Sequence, residues 1–213
     1  MTRIIDLSLP LVPGTRGVEA DIARTLERDG WLARNWHVYS HAGTHMDAPI
    51  HYGVNDTTID VIPLEQCTGP AWVVPCDDVG AVGCLSLTHV EFIKEKLRPG
   101  DSLLFRNGWS RHAGTADYRD AQPRFSEELA QWCAGAQLRM VGVEMPAITN
   151  VGDRAELIRI HQIILEAGII IVEGLTNLDQ ITWQPCTFQA FPIKLSEGDG
   201  AWVRAVAIEE DRD

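Results

Sequence analysis

The chain has no basic run, no long apolar run and no paired-cysteine motif, and each absence removes a class of function. Lys and Arg together number 18 against 30 Asp and Glu, a formal net charge of −12. A protein that grips a phosphate backbone needs clustered Lys and Arg, so nucleic acid is not an expected partner. No segment approaches the roughly 18 consecutive apolar residues of a membrane-spanning helix. Residues 1–6 do not open a basic region followed by an apolar stretch. The expectation is a soluble, cytoplasmic protein without a membrane partner. The five cysteines, Cys67, Cys76, Cys84, Cys133 and Cys186, are scattered and include no Cys-x-x-Cys pair, which argues against a disulfide framework and a zinc ribbon. The Gly-x-Ser-x-Gly elbow of serine hydrolases is missing too.

What is present is a chain of 213 residues. That length buries roughly 70% of the surface its unfolded form exposes, and one domain over residues 1–213 is expected. Short β-branched runs predict strands over residues 3–9, 36–41, 71–75, 102–106, 139–143, 168–173, 188–195 and 202–208. A helix is predicted over 88–98, before Pro99-Gly100. A second covers 126–135, where Ser126 supplies an N-cap and Glu127 and Glu128 an acidic first turn. The third covers 153–167, from Asp153 as N-cap to Gly168 just past the end. Strands outnumber helices and only part of the chain alternates as βαβ. The fold class is therefore α/β with a mixed sheet or barrel-like β core flanked by helices, rather than a doubly wound parallel sheet. Residues 10–35 read as a polar, turn-rich insertion with a short helix over 20–28, suited to a lid or a partner contact.

Four of the seven histidines lie between Trp36 and Tyr52. The segment His41-Ala-Gly-Thr-His45-Met-Asp47-Ala-Pro49-Ile-His51 combines imidazoles with a carboxylate, the usual ligands of zinc, manganese or iron in catalytic sites. On a helix His41 and His45 would share a face, but Gly43, Thr44 and Pro49 oppose a helix. In an extended segment, alternation aligns His41, Gly43, His45 and Asp47, and the glycine leaves room beside a metal. Asp47-Ala48-Pro49 then turns the chain and returns His51 outside that alternation, as a fourth ligand or as an unligated acid/base. Any one of these histidines alone reads as a partly buried, hydrogen-bonded side chain. Three with an aspartate at this spacing read as a site. A structural zinc site would be cysteine-rich and closed by four protein ligands, and no cysteine lies nearby.

With the pattern His-x-Gly-Thr-His-x-Asp-x-Pro-x-His, the chain resembles the cyclase family of metal-dependent hydrolases, which includes bacterial kynurenine formamidase and isatin hydrolase. The resemblance extends through Ile5-Asp-Leu-Ser8, Arg106-Asn-Gly-Trp-Ser110, Asp199-Gly200 and Val203-Arg-Ala-Val206. It implies a swivelling β/β/α fold, metal ligation by His41, His45 and Asp47, and proton transfer by His51. Two-metal members add a distant His and, 12 residues later, a Glu; His161 and Glu173 match, with Asp47 and Glu173 able to bridge the ions. Without the resemblance, Glu173 at the end of an apolar run would suit a Lys or Arg partner as well as a metal. His161, on an apolar helix with Leu157, Ile164 and Leu165, would read as a core histidine.

The chain departs from the family where Gly142-Val-Glu144-Met-Pro-Ala147 stands in place of a Gly-Ile-Asp-x-Pro-Ser stretch. Residues 12–35 replace a Tyr-Pro-Gly-Asp type loop, and with it the aromatic residue that packs on a formylkynurenine ring. Trp31 and Trp36 are the substrate-binding candidates that remain, each with a core tryptophan as the alternative reading. The expected activity is metal-dependent hydrolysis of a carbon–nitrogen bond in an amide, formamide or lactam, arylformamidase-like, by metal-activated water. One or two divalent ions per chain are expected, zinc first and manganese second. The alternatives are a lactone hydrolase or ring-closing cyclase on the same centre, or a non-catalytic metal-binding protein with His51 as a permanent ligand. The resemblance also implies a small-molecule substrate and a homo-oligomer, dimer or tetramer.

Overall fold

The computed structural model of the chain describes residues 2–210. In chain order its strands are β1 (Thr2–Asp6), β2 (Val18–Arg24), β3 (Ala33–Val38), β4 (His45–Asp47), β5 (Thr68–Pro75), β6 (Cys84–Leu85), β7 (Ser102–Arg106), β8 (Arg124–Phe125), β9 (Met140–Val143), β10 (Ile170–Glu173), β11 (Cys186–Gln189), β12 (Gly200–Trp202) and β13 (Val206–Glu210). The helices are α1 (Leu26–Asp29), α2 (Asp117–Asp120), α3 (Glu127–Gly135) and α4 (Arg154–Glu166). A nine-stranded mixed sheet runs in the order β1-β13-β11-β5-β7-β9-β10-β4-β12. Its centre, β5 to β10, is parallel, and antiparallel strands extend it on both sides. Parallel neighbours need crossovers. α3 lies in the one between β7 and β9, and α4 in the one between β9 and β10.

Period-two alternation divides the interior into two layers. Val73, Leu104, Met140, Ile170 and Val172 point to one core with Met46, Phe188 and Ala207. Their neighbours Val74, Leu103, Phe105, Val141 and Ile171 point to the other, under Leu129, Cys133, Ile160 and Ile164 of α3 and α4. Full burial of each such side chain contributes roughly 1.5–3 kcal/mol. At Gly142 the alternation allows no side chain, because a Cβ would lie 2.6 Å from Leu175 and 2.7 Å from Leu104. Both long helices begin as the sequence predicts: Ser126 Oγ accepts from Leu129 N–H at 3.1 Å, and Asp153 Oδ1 from Ala155 and Glu156 N–H.

Several sequence expectations are corrected. Residues 88–98 form a 3-10 helix, Leu87–Val90, followed by turns. Ile93 and Lys96 N–H bond three residues back, to Val90 and Ile93, and Leu97 N–H alone bonds four back, to Ile93. Burial of Val90 and Ile93 at that spacing favours the tighter helix, and β-branched residues weaken the α form. Residues 20–28 are chiefly strand: β2 pairs with β3 as a hairpin, and only the single turn of α1 is helical, capped by Thr25. The strand expected at 36–41 ends at Val38, and that at 188–195 ends at Gln189, short of Pro192. The strand expected at 202–208 is two strands, because Trp202 pairs with β4 while Val206 pairs with β1.

Candidate metal centre

β10 and β4 run antiparallel with Glu173 opposite His45 and Ile171 opposite Asp47. Met46 fills one core layer, so His45 and Asp47 share the other side of the sheet with Glu173 and face α4. The site therefore forms at the carboxyl end of the central parallel strands, where open α/β sheets place ligands. The expected alternation holds for His45 and Asp47 only. His41 precedes β4 in a turn and reaches Asp47 from there, its Nδ1 2.9 Å from Asp47 Oδ1. Gly43 does not make room for a metal as expected. It has φ +66°, and a Cβ there would meet Leu11 Cδ2 at 2.7 Å. Gly174 (φ +69°) packs against the Gly43 carbonyl and admits no side chain either.

Pro49 opens a 3-10 turn, Pro49–Tyr52, that Gly53 ends in the left-handed region. The turn brings the His51 ring over His41, with centroids 3.9 Å apart and planes at 22°. Tyr52 stacks on His161 at 4.1 Å, and its carbonyl accepts from Gln162 of α4. His161, on α4, lies with Nε2 3.4 Å from Glu173 Oε1 and 3.8 Å from Asp47 Oδ2. The structure thus brings His41, His45, Asp47, His51, His161 and Glu173 together.

The buried groups of this cluster fit a cation. His45 Nδ1 lies 3.0 Å from the Gly43 carbonyl and His161 Nδ1 2.6 Å from the Leu157 carbonyl. Each carbonyl only accepts, so each Nδ1 carries a proton and each Nε2 is the nitrogen turned toward the carboxylates. His45 Nε2 is buried without a hydrogen-bond partner and lies 3.3 Å from Glu173 and 3.6 Å from Asp47. Two buried carboxylates thus face two imidazole Nε2 atoms, each of which offers a lone pair to a metal when its ring is neutral. Among the described residues, neither carboxylate pairs with Lys or Arg, so the Lys or Arg alternative for Glu173 falls away. Histidine ligands anchored through the second nitrogen to a backbone carbonyl are the usual arrangement around a metal. His41, His45 and Asp47 can converge on one ion and Asp47, His161 and Glu173 on another, and the more exposed His41, His51 and Asp199 also lie within reach of a common point.

The charge balance points the same way. Burial opposes ionisation of Asp47, yet its hydrogen bond with His41 and the other histidines hold its pKa below the usual range. Burial and Asp47 push Glu173 up, but His161 and His45 outweigh them and the net shift is downward. Burial would lower His41, but Asp47 and Asp199 raise it to about 9. A field that holds a proton on His41 also attracts a metal cation. His51 is lowered, first by burial and also by the His41 charge.

Sequence reasoning missed three neighbours. Asp199 Oδ2 lies 3.0 Å from His41 Nε2 and 3.4 Å from His51 Nδ1. Tyr52 was not read as a site residue, and Tyr39, at the end of the hairpin, sits 5.4 Å from the His41 ring. The only signal for Asp199 was its place in the Asp199-Gly200 pair. Trp31 and Trp36 lie on the β2–β3 hairpin, 58% and 48% exposed, so neither is a core tryptophan. Glu144 is buried and accepts from Asn107 and Gly108 N–H and from Ser110, tying the segment after β7 to the end of β9.

A mixed sheet flanked by helices, with a buried His/carboxylate cluster at the carboxyl end of its central strands, defines an α/β protein with a candidate metal centre. The chain belongs to the family described as putative cyclase, whose model matches residues 5–150. It is 28% identical over 209 residues to a kynurenine formamidase of Bacillus cytotoxicus, covering 95% of each chain. An isatin hydrolase A from Ralstonia solanacearum shares the fold at TM-score 0.87 and 22% identity, over 98% of this chain and 92% of that one. A predicted metal-dependent hydrolase from Bacillus stearothermophilus does so at TM-score 0.78 and 22% identity, over 99% and 100%.

Proposed function

We propose that the chain is a metal-dependent hydrolase of carbon–nitrogen bonds other than peptide bonds, acting on a small amide, formamide or lactam. The observation that carries this reading is the buried pair Asp47 and Glu173 facing the Nε2 atoms of His45 and His161. Likeness to a kynurenine formamidase and to isatin hydrolase supports the bond type. His41, His45 and Asp47 would hold one divalent ion, and His161 and Glu173, sharing Asp47, a second. When bound, such an ion lowers the pKa of water towards 7 and polarises a carbonyl oxygen.

His51 takes the proton that attacking water loses as its oxygen bonds to the carbonyl carbon, and delivers it to the departing nitrogen as the C–N bond breaks. The products are a carboxylic acid and an amine, or the ring-opened amino acid from a lactam. Zinc is the proposed ion and manganese the alternative, both suited to His and carboxylate ligands. Trp31 and Trp36 would offer aromatic surface to an aryl substrate, supported by their exposure on a hairpin whose end meets His41 at Tyr39. A homo-oligomer, dimer or tetramer, is proposed from the apolar residues exposed on that hairpin, among them Ile22, Leu26 and Leu32. A cytoplasmic location completes the proposal; among the described residues no helix is long and apolar enough to cross a membrane.

The test is turnover of aryl formamides, lactams and lactones by metal-loaded protein. Hydrolysis of a formamide or lactam that chelation abolishes is the expected result. Activity on lactones alone would contradict the assigned bond, and a metal-loaded protein inert to the whole panel would contradict the assigned substrate classes.

A further inference from the structure

We infer that Asp199 is a positioning residue that serves two histidines at once, holding the ring of His41 and fixing the tautomer of His51. The inference rests on the metal-hydrolase reading above. Asp199 immediately precedes β12, and its carbonyl accepts from Ala48 N–H at 3.0 Å, which anchors it beside the turn that carries His51. His41 presents Nδ1 to Asp47 on the metal side and Nε2 to Asp199 Oδ2 at 3.0 Å. With Nδ1 available as a ligand, Nε2 carries the proton and donates it to Asp199. A carboxylate on the second nitrogen orients a metal-bound imidazole and makes it more basic.

The same Oδ2 lies 3.4 Å from His51 Nδ1. Because the His41 and His51 rings stack at 3.9 Å, one oxygen faces a ring nitrogen of each. A proton held on His51 Nδ1 leaves the lone pair on Nε2, the nitrogen then free to accept a proton from water. The neighbouring glycine supplies an independent observation. A Cβ on Gly200 would lie 2.6 Å from His41 Cε1 and 3.1 Å from Nε2. Asp199 and Gly200 thus form one seat for the His41 ring, the first facing its Nε2 and the second leaving space beside its Cε1 and Nε2, as well as for the Met46 carbonyl 2.8 Å from where a Cβ would stand. The Asp199 side chain is 47% exposed, so filling the core does not account for its position.

The experiment compares wild type, Asp199→Asn and Gly200→Ala, with metal affinity read by competition against a chromogenic chelator and steady-state kinetics at saturating metal. Asp199→Asn should bind metal about 10–100-fold more weakly. It should also lose kcat with little change in KM, while the metal-free Tm stays close to wild type. Gly200→Ala, which removes no charge, should weaken metal binding too. In a His51→Ala background, Asp199→Asn should cause the same loss of metal affinity and no further loss of kcat, since its effect on turnover passes through His51. Wild-type metal affinity in Asp199→Asn, or its full kcat loss persisting without His51, would overturn the inference. A lowered metal-free Tm with unchanged affinity would make the role purely structural. A wild-type protein that binds no metal would overturn the hydrolase reading as well, so the two failures are distinguishable.

Discussion

Replacing His51 by Ala should separate proton transfer from metal binding. His51 Nδ1 faces Asp199 at 3.4 Å, and neither convergent ligand set built on Asp47 requires His51. The variant should therefore keep its metal. Turnover should fall by about 10²–10⁴, the usual contribution of a general acid/base, or about 2.7–5.4 kcal/mol in the barrier at 1.36 kcal/mol per decade. Stability changes far less. The substitution removes a stack on His41 at 3.9 Å and an edge contact with Tyr52 at 4.4 Å. Each such aromatic contact contributes about 0.5–1.5 kcal/mol. Because the His51 side chain is 22% exposed, water can enter part of the space left behind. A loss of about 1–2 kcal/mol is expected, which lowers Tm by roughly 2–8 °C in a chain of this size. Elemental analysis, calorimetry and kcat on one preparation give all three quantities. Loss of metal together with activity would make His51 a ligand, and wild-type turnover would remove it from the mechanism.

Asp47→Asn should lower metal content more than any other single ligand change, because Asp47 is shared by both ligand sets; elemental analysis showing full occupancy would exclude that role. Chelation should lower Tm reversibly, by the equivalent of about 2.7 kcal/mol if metal is initially 100-fold above its Kd. An unchanged melting curve after complete removal would show that the site is not coupled to folding. Gly174→Ala should destabilise, since a left-handed backbone with a Cβ costs about 1–2 kcal/mol before the clash with Gly43 is counted; chemical denaturation measures it. Burial raises the pKa of Glu209, but Trp183 and Thr182 N–H and the Arg3 charge outweigh it, leaving the group below the ordinary 4.5. Its stabilisation is thus present above about pH 4.5 and lost as pH falls through the lower folded value. Glu209→Gln, which keeps an acceptor oxygen but removes the charge, should be less stable than wild type at pH 7. That gap should narrow as pH falls below 4.5; a gap independent of pH would refute the assignment.

The parts of the fold legible in the sequence were those set by local signals. Ser126 and Asp153 announce α3 and α4 because capping is a short-range hydrogen bond. The β-branched runs locate the central strands because both faces are buried. The hairpin of residues 18–38 was less legible, since Val18, Ala20 and Ile22 alternate in a segment rich in charge that also suits a helix. The split of the last strand depends on partners more than 100 residues away in the chain, β4 on one side and β1 on the other. At the site, the motif on one turn and one short strand was readable as a unit. Asp199 was not, because a single Asp before a Gly carries no spacing signal until the sheet brings β12 beside β4. The expectation that Gly43 leaves room beside a metal is not met, because the neighbour a Cβ there would meet is Leu11.

Buried Asp47 and Glu173, with His45 and His161, are proposed to hold a catalytic cation. The most direct test is a titration of metal into stripped protein, with bound ion per chain and turnover followed together on a formamide or lactam that the loaded protein hydrolyses. Activity should be absent at zero metal and rise with ions bound, and Glu173→Gln should reach a lower stoichiometry at the same total metal. Full activity in the stripped protein, or tight stoichiometric binding that leaves turnover unchanged, would contradict it.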